Sequence, residues 1–348
     1  MLNFQGETAD TVSDISADAR KRLDNKTKPP GSLGQIEAVA VQLATVQGSV
    51  VPVVDPARII VFAADHGITA AGVSAYPAEV TAQMMANFAS GGAAVCVLGA
   101  AAGASLEVID VGVNADLEQL TGVVHAKVRA GSRNLLEEAA MTHEELDSAL
   151  QVGREAVVRA VEAGQKCLGL GEMGIGNTTS AAILTGLMCG ASATEVTGRG
   201  TGLNNSQLSL KQRVVADAMQ RHALLADDPL ECLRNAGGLE IAALVGAMLE
   251  APAHRLPVLV DGFIVTSAAL IACRLKPSVR DVLFFAHQSA ETGHALALRQ
   301  LAAQPLLQLD MRLGEGSATA LALPLLRGAA AVLCDMASFA DAGVSTAE

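Results

Sequence analysis

The chain has 348 residues, of which 51% are hydrophobic and only 2% aromatic, a length that can bury a large core in one or two domains. Its 24 basic and 36 acidic residues give a net charge of −12 at pH 7, which argues against a nucleic-acid-binding surface. The six cysteines lie mainly in apolar segments without a CxxC pair, so we interpret them as reduced core residues and expect no disulfide framework or zinc site.

Two apolar stretches, 80–106 and 318–340, raise the question of a membrane. Polar residues and glycines interrupt the first, and Pro324, Arg327 and Asp335 interrupt the second. The N-terminus has early acidic residues and no apolar core followed by a cleavage site. We therefore predict no membrane insertion, no signal peptide and a cytoplasmic location.

Apolar β-type runs alternate with helical patterns along most of the chain. The predicted strands are 58–64, 105–111, 167–170, 257–260 and 282–286, and the segment 306–312 is strand-like. The predicted helices are 33–47 (capped by Ser32), 78–87, 92–102, 142–163, 177–188, 211–224, 265–275 and 292–301, and another helix opens at Ser317. Strands that alternate with helices imply right-handed crossovers. The sequence therefore predicts an α/β fold with a doubly wound, mainly parallel sheet.

Four apolar strands end in polar or glycine-rich segments that can form one site. These segments are ADHG at 64–67, GEMG at 171–174, DG at 261–262 and HQS at 287–289. Ligands of open α/β sheets bind outside the carboxyl ends of the strands, so we expect the four segments to converge there. Asp65 and His66 could be a metal pair, but no second carboxylate or HxxxH spacing accompanies them, which favours a structural use.

The segment 166–180 has the order strand, glycine-rich loop and helix start, which aims backbone N–H groups at one point and so suits a phosphate. Its spacing nearly completes a P-loop, with four residues between Gly171 and Gly176. Asn177 and Thr178 stand where that motif requires Lys followed by Ser or Thr, which favours a single phosphate over a triphosphate. The alternative is a glycine-rich connection that binds nothing.

A second glycine-rich loop, GRGTG at 198–202, precedes Lys211. Together with the first loop it could clamp one phosphate, and Lys211 would add a point charge. A surface turn with a solvated lysine is the alternative. Glu172 lies inside the first loop and would repel a phosphate, so a ribose hydroxyl or a nitrogen heterocycle is its favoured partner.

Glu315 lies between two glycines, where a carboxylate can approach a substrate with little steric obstruction. Desolvation by Leu313 and other apolar neighbours would raise its pKa toward that of a useful general base. The alternative is an ordinary acid at the N-terminus of a helix that opens at Ser317.

Seven long motifs occur in order between about residues 24 and 339. They are DNKTKPPGSLG, FAADHGITAAGVSAYP, GLGEMGIGNTTSAAIL, GRGTGL, DGFIVTSAAL, AHQSAETGH and LDMRLGEGSATALALPLL. Together they resemble the nicotinate-nucleotide–dimethylbenzimidazole phosphoribosyltransferase family of cobalamin biosynthesis. The segment 113–162 carries no motif that contributes to this resemblance.

The resemblance implies transfer of 5-phosphoribose from nicotinate mononucleotide to 5,6-dimethylbenzimidazole. The products would be α-ribazole 5′-phosphate and nicotinate, with inversion at the anomeric carbon. It also implies a homodimer in which a Rossmann-like domain, 51–315, accompanies a small helical domain formed from both termini, 1–50 and 316–348. These small-molecule substrates are the expected partners, and we expect no cofactor and no metal.

The resemblance also implies roles for individual residues. Glu315 is the implied general base, and Glu172 and Lys211 are accessory catalytic residues. The implied phosphate- and ribose-binding residues are Gly174, Ile175, Gly176, Asn177, Thr178, Thr179, Gly200, Thr201, Gly202 and Ser289, the last a candidate to act across a dimer. The implied base pocket consists of Ser74, Tyr76, Gln83 and Leu313.

The chemistry of this transfer is compatible with the residues. Nicotinate leaves from a quaternary pyridinium nitrogen and needs no general acid, whereas the benzimidazole loses one proton, for which a single carboxylate suffices. Two other hypotheses stay open. An NAD-dependent oxidoreductase is disfavoured because GxGxxG with an acid about 20 residues on is absent, and a non-catalytic nucleotide sensor would bind the mononucleotide without releasing nicotinate.

Overall fold

A computed structural model gives the fold and describes residues 9–200 and 202–345. Within these ranges the centre is a six-stranded sheet in the order β3-β2-β1-β4-β5-β6, and every pairing is parallel. The strands are β1 (Ala57–Ala64), β2 (Ser105–Gly112), β3 (Val124–His125), β4 (Cys167–Met173), β5 (Val258–Val260) and β6 (Leu283–Phe285). This order confirms the predicted doubly wound sheet, and its winding reverses between β1 and β4.

Helices cover both faces of the sheet. They are α1 (Ala9–Asp24), α2 (Gln35–Gln47), α3 (Val80–Ala89), α4 (Ala94–Ala101), α5 (His143–Glu162), α6 (Asn177–Cys189), α7 (Ala193–Val196), α8 (Asn205–His222), α9 (Pro229–Ala236), α10 (Leu239–Glu250), α11 (Phe263–Leu275), α12 (Val279–Val282), α13 (His294–Gln300), α14 (Ser317–Asp335) and α15 (Phe339–Ala342), with short 3-10 helices at Gly67–Ala71, Ala223–Leu225 and Ala251–His254. Helices on both faces explain why the strands are continuous apolar runs.

Alternate residues of β1 belong to two apolar clusters, one on each face of the sheet. Ile60 and Phe62 belong to the larger cluster, which includes residues of α5, α10 and α11. Ile59 and Val61 belong to the smaller cluster, to which α3, α4 and α14 contribute. The period-two alternation of a strand thus divides one apolar run between two cores.

The two ends of the chain pack against each other through α1, α2 and α14. The Arg22 guanidinium donates hydrogen bonds to the carbonyl oxygens of Leu333, at 2.9 Å, and Cys334, at 3.0 Å. These carbonyls lie in the last turn of α14, where a helix leaves acceptors without partners and favours a cation. Arg22 therefore joins α1 to the end of α14.

Two stretches, Val80–Ala101 and Ser317–Asp335, have the length and apolar composition of a membrane-crossing helix. The first is divided in the fold into α3 and α4. The second is α14, which packs on α2, α4 and β4 and fully buries Leu326 and Leu333. Packing inside the protein explains the apolar composition of α14, whereas Val97 of α4 stays 60% exposed.

Some predicted elements differ from those in the structure. Only Leu307 of the strand-like segment 306–312 makes a bridge, to His287, and Asp310 adopts a φ of 54°, which interrupts an extended run. Helix α8 begins six residues before Lys211, because Asn204 and Gln207 form a capping box. Helix α2 begins after Gly34, which replaces the predicted cap residue.

The contact between α5 and α10 depends on two glycines. A Cβ at Gly153 would overlap the carbonyl oxygen of Ala243, and a Cβ at Gly246 would overlap that of Leu150. Neither obstacle is a flexible side chain, so the two helices would have to separate. We predict that Gly153→Ala lowers the free energy of unfolding by about 1–3 kcal/mol, measured by denaturant unfolding at one protein concentration.

Gly328→Ala is the matched control, because this glycine lies in the exposed part of α14 with open space around its Cβ position. It should raise the free energy of unfolding by roughly 0.5–1 kcal/mol, since alanine favours a helix. Equal effects of the two substitutions would contradict close packing as the cause.

Candidate active site

A cavity of about 350 Å³ opens at the carboxyl ends of the strands. Three of the four predicted segments line it: 172–175 at the end of β4, 262–264 after β5, and His287 with Ser289 after β6. The fourth segment, 64–67, lies behind this lining. The cavity therefore lies beside the point where the winding of the sheet reverses, the usual ligand position in such folds.

The glycine-rich loop after β4 packs directly on the end of β1. A Cβ at Gly174 would lie 2.5 Å from the carbonyl oxygen of Ala64, and Gly176 has a φ of 98° as the N-cap of α6. The backbone N–H of Ile175 donates to Thr81 Oγ1 at 3.1 Å. Both glycines are thus required by the close approach or by the backbone conformation.

This loop presents some of its predicted ligand residues to the cavity and turns others away. The lining residues are Gly174, Ile175, Asn177 and Thr178. Gly176 faces Thr69 and His66, and Thr179 is fully buried behind the loop.

A buried ion pair supports the loop from behind. His66 Nε2 lies 2.7 Å from Glu240 Oε1, both side chains are fully buried, and Ser180 Oγ lies 3.3 Å from His66 Nδ1. Burial lowers the pKa of His66, but the Glu240 carboxylate outweighs it and raises that pKa above its usual value. The position of His66 agrees with the structural use predicted for it.

One end of the cavity is cationic. Lys211 Nζ donates to Thr178 Oγ1 at 2.7 Å, and Arg312 donates to the Gly200 carbonyl at 2.9 Å. Burial lowers the pKa of Lys211 to about 8, an effect that Glu291 opposes. Thr178, Gly200, Glu291 and Arg312 line the cavity, whereas Lys211 lies behind Thr178.

The other end of the cavity is acidic. Glu315 is 7% exposed, and burial raises its pKa, whereas the backbone amides of Val95 and Ala94 oppose this. Burial also raises the pKa of Glu172 to about 8, helped by Asp261 and Glu240, although a hydrogen bond donated by the Asn177 side-chain amide opposes the rise.

Burial of Glu315 does not depend on Leu313, the neighbour from which the sequence predicted desolvation. Leu313 lines the cavity but is itself 57% exposed. Gly171 of β4 lets the backbone of this segment approach the sheet, because a Cβ there would lie 2.6 Å from the Glu315 carbonyl carbon. The Glu315 carboxyl itself lies beside the backbone amides of Val95 and Ala94 at the start of α4.

The wall of the cavity is largely apolar. Tyr76 and Leu313, which the resemblance assigned to the base pocket, line this wall. The sequence analysis missed its other apolar residues, which are Val80, Met84, Met173, Phe263 and Ile264. Ser74 and Gln83 do not line the cavity. Ser74 Oγ instead accepts the Tyr76 amide at 3.2 Å, and Gln83 is exposed. Gly202 is exposed outside the lining, and Thr201 lies outside the described residues.

The segment after β6 contributes neutral polar groups. Ser289 lines the cavity, and its backbone N–H donates to His294 Nδ1 at 2.8 Å. His287 also lines the cavity, is 3% exposed and has no hydrogen-bond partner at Nδ1 among the described residues. Burial lowers the pKa of His287 to about 4, so its ring is uncharged at neutral pH. Glu291 and Arg312 are polar residues that the sequence analysis did not assign to the site, whereas His287 lies in the segment 287–289 that it expected there without a role.

A parallel sheet in this strand order, with one cavity that joins a cationic end to a buried carboxyl end, defines a Rossmann-type α/β enzyme. A family model described as phosphoribosyltransferase matches residues 9–344. The chain is 50% identical over 328 residues to the nicotinate-nucleotide–dimethylbenzimidazole phosphoribosyltransferase of Pseudomonas putida KT2440, covering 94% of this chain and 93% of that protein.

Further comparisons agree. The protein of the same name from Geobacter sp. strain M21 is 46% identical over 332 residues, which cover 95% of each chain. The crystal structure of CobT from Thermus thermophilus has a TM-score of 0.92 and 47% identity, covering 96% of this chain and all of that one (100%). The chain therefore belongs to the nicotinate-nucleotide–dimethylbenzimidazole phosphoribosyltransferase family, which confirms the resemblance found in its motifs.

The His66–Glu240 pair gives a prediction for stability. Because the pKa of His66 is raised in the fold, the pair stabilises the protein fully below the ordinary histidine pKa of about 6.5 and loses this effect as pH rises through the folded value. Glu240→Gln should lower the free energy of unfolding by about 3 kcal/mol at pH 6, and this loss should shrink as pH rises through the folded pKa of His66, measured by urea unfolding over a pH series.

Glu250→Gln is the matched control, because its partner His254 lies at 2.9 Å and both side chains are 27% exposed. This partly exposed pair should contribute under about 1 kcal/mol throughout the pH series. A Glu240→Gln effect that grows as pH rises would contradict the charged pair.

Proposed function

We propose that the chain transfers the 5-phosphoribosyl group from nicotinate mononucleotide to 5,6-dimethylbenzimidazole, in the assembly of the cobalamin nucleotide loop. The products are α-ribazole 5′-phosphate and nicotinate, with inversion at the anomeric carbon. The observation that carries the proposal is the buried carboxyl of Glu315 in the same cavity as the glycine-rich loop and Arg312. Relatives of about half-identical sequence bear the name of this activity.

The phosphate of the mononucleotide binds at the cationic end. Thr178 and Gly200 line this end, Lys211 donates to Thr178 Oγ1 from behind, and Arg312 is held against Gly200. The start of α6 adds the positive end of a helix dipole, although the Asn177 and Thr179 amides already donate to the Gly174 and Gly176 carbonyls. A monophosphate needs neither a Walker lysine nor acidic metal ligands, which agrees with the chemistry of these residues.

The ribose and the remaining loop residues lie between the two ends. Glu172, with a pKa near 8, is largely protonated at neutral pH and can donate a hydrogen bond to a ribose hydroxyl. Gly176 and Thr179 shape the loop from behind its surface. Ser289 lines the cavity of its own chain, which supports a role there without a partner subunit.

The base binds against the apolar wall, beside Glu315. One benzimidazole nitrogen attacks the anomeric carbon while the bond to nicotinate breaks, and the bonding pair returns to the pyridine nitrogen. The proton on the second benzimidazole nitrogen passes to the Glu315 carboxylate. Burial that raises the pKa of Glu315 makes this carboxylate a stronger base than an exposed glutamate. Holding both reactants in one cavity supplies much of the acceleration.

We also propose a cytoplasmic homodimer in which 51–315 is the catalytic domain and 1–50 with 316–348 form the small helical domain. The packing of α1, α2 and α14 supports the division. Tyr76 and Leu313, which line the cavity, are 53% and 57% exposed. A second copy that covers these two side chains would shield them from water.

The test is incubation of the purified chain with nicotinate mononucleotide and a panel of benzimidazoles, purines and phenols. We expect nicotinate release and an α-ribotide, identified by mass spectrometry and by its anomeric NMR coupling. A β-ribotide would refute inversion. Tight mononucleotide binding without nicotinate release for any base would instead indicate a sensor.

Replacement of Glu315 tests the general base. Glu315→Gln keeps the shape of the side chain but cannot accept the proton, so kcat should fall by about 10²- to 10⁴-fold while the KM for the mononucleotide changes little. Steady-state kinetics at pH 7.5 measure this, with Glu250→Gln as the control for loss of a surface carboxylate. Near-normal kcat in Glu315→Gln would remove Glu315 from the mechanism.

The titration of Lys211 gives a prediction for the pH dependence of phosphate binding. Its pKa of about 8 means that it is charged below pH 8 and neutral above. The Kd for the mononucleotide, measured by calorimetry, should be nearly constant from pH 7 to 8 and then rise by up to about tenfold per pH unit as this charge is lost.

Glu172 titrates near the same pH, so Lys211→Met is needed to separate the two groups. This variant should bind weakly at pH 7 and lose most of the rise in Kd above pH 8. An unchanged pH profile in Lys211→Met would assign the titration to Glu172.

A further inference from the structure

Asp261, the residue that follows β5, makes two contacts that the proposed reaction does not use. Its Oδ2 accepts the backbone N–H of Gly316 at 3.1 Å, and its Oδ1 accepts that of Ala318 at 2.8 Å. Asp261 is 1% exposed, and it lies behind Gly262, which lines the cavity. A carboxylate from the sheet thus caps the first turn of α14 in place of a residue of the helix itself.

The segment that Asp261 holds has an unusual backbone. Gly314, Glu315 and Gly316 have φ values of 85°, 64° and 83°. Two glycines adopt this conformation freely, but for Glu315 the left-handed region is disfavoured because its Cβ crowds the backbone. Contacts from outside the segment must therefore keep Glu315 in this conformation.

Two kinds of contact restrict the segment. Behind it, the missing side chain of Gly171 lets β4 approach, because a Cβ there would lie 2.6 Å from Gly316 Cα. Packing of this kind only prevents movement toward the sheet. The hydrogen bonds to Asp261 are directional and fix the segment along the axis of α14.

We propose that Asp261 is a positioning residue for the transfer: it holds the Gly314–Gly316 backbone so that Glu315 meets the base nitrogen, without touching substrate itself. The inference rests on the proposed function, and it assigns Asp261 an effect on kcat that is exerted only through Glu315. Displacement of a reacting group by about 1 Å can cost 10²-fold in rate.

The test is a double-mutant cycle of Asp261→Asn and Glu315→Gln. Asn retains the shape but has one acceptor oxygen, and its NH₂ group faces an N–H, so one of the two contacts is lost. Asp261→Asn alone should lower kcat by about 10- to 100-fold, with the KM and Kd for the mononucleotide within about threefold of wild type. In the Glu315→Gln background it should lower kcat no further.

Asp110→Asn is the matched control. Asp110 is also 1% exposed, lies near the carboxyl end of β2, and accepts the backbone N–H of Val113 at 2.8 Å. It lies away from the cavity, so its replacement should lower the thermal midpoint while kcat stays within about twofold of wild type. If Asp261→Asn is insoluble, Asp261→Ser replaces it in the cycle, because the serine hydroxyl can accept one N–H.

The outcomes distinguish this inference from the proposed function. A wild-type chain that forms no ribotide refutes the proposed function. An active wild type in which Asp261→Asn lowers kcat equally in both backgrounds, or changes only the thermal midpoint, overturns the positioning role of Asp261.

Discussion

The site depends on backbone segments that approach one another more closely than side chains would allow. Gly171 lets the segment with Glu315 lie on β4, and Gly174 lets the following loop lie on the end of β1. Both contacts occur at neighbouring strands, where the winding of the sheet reverses. A single methyl group at either glycine would move one wall of the cavity, so the geometry of the site depends on how closely these segments pack on the sheet.

The second organising feature is the separation of charge across a short cavity. Glu172 and Glu315 line one end and Asp261 is buried behind it, and burial raises the pKa of each, that of Asp261 to about 7. Lys211 and Arg312 lie at the other end, where they flank the buried carboxyl of Glu291. A phosphate-bearing mononucleotide at the cationic end and a proton-donating heterocycle beside Glu315 match this polarity, and Glu172, with its pKa raised to about 8, is largely uncharged at neutral pH and does not repel them.

Sequence reasoning reached the features whose physical cause is local. The apolar run of β1 and the two glycines that flank Glu315 can be interpreted from neighbouring residues alone. The apolar wall could not be found this way, because Phe263 and Met84 have the composition of core residues and only their position beside a cavity distinguishes them. The segment 306–312 looked extended, but an apolar pattern does not reveal whether a partner strand lies beside it.

Helix α14 connects two distant parts of the molecule. It is one continuous helix of 19 residues despite Pro324, so it is about 28 Å long. Its first turn adjoins Glu315, and its last carbonyls are held by Arg22. As a lever of this length, the helix would convert a tilt of about 2° at the Arg22 end into a shift of about 1 Å beside the carboxylate, a displacement that matters for reactivity. The position of the carboxylate therefore depends on both ends of α14, which are held by Arg22 at its last turn and by Asp261 at its first.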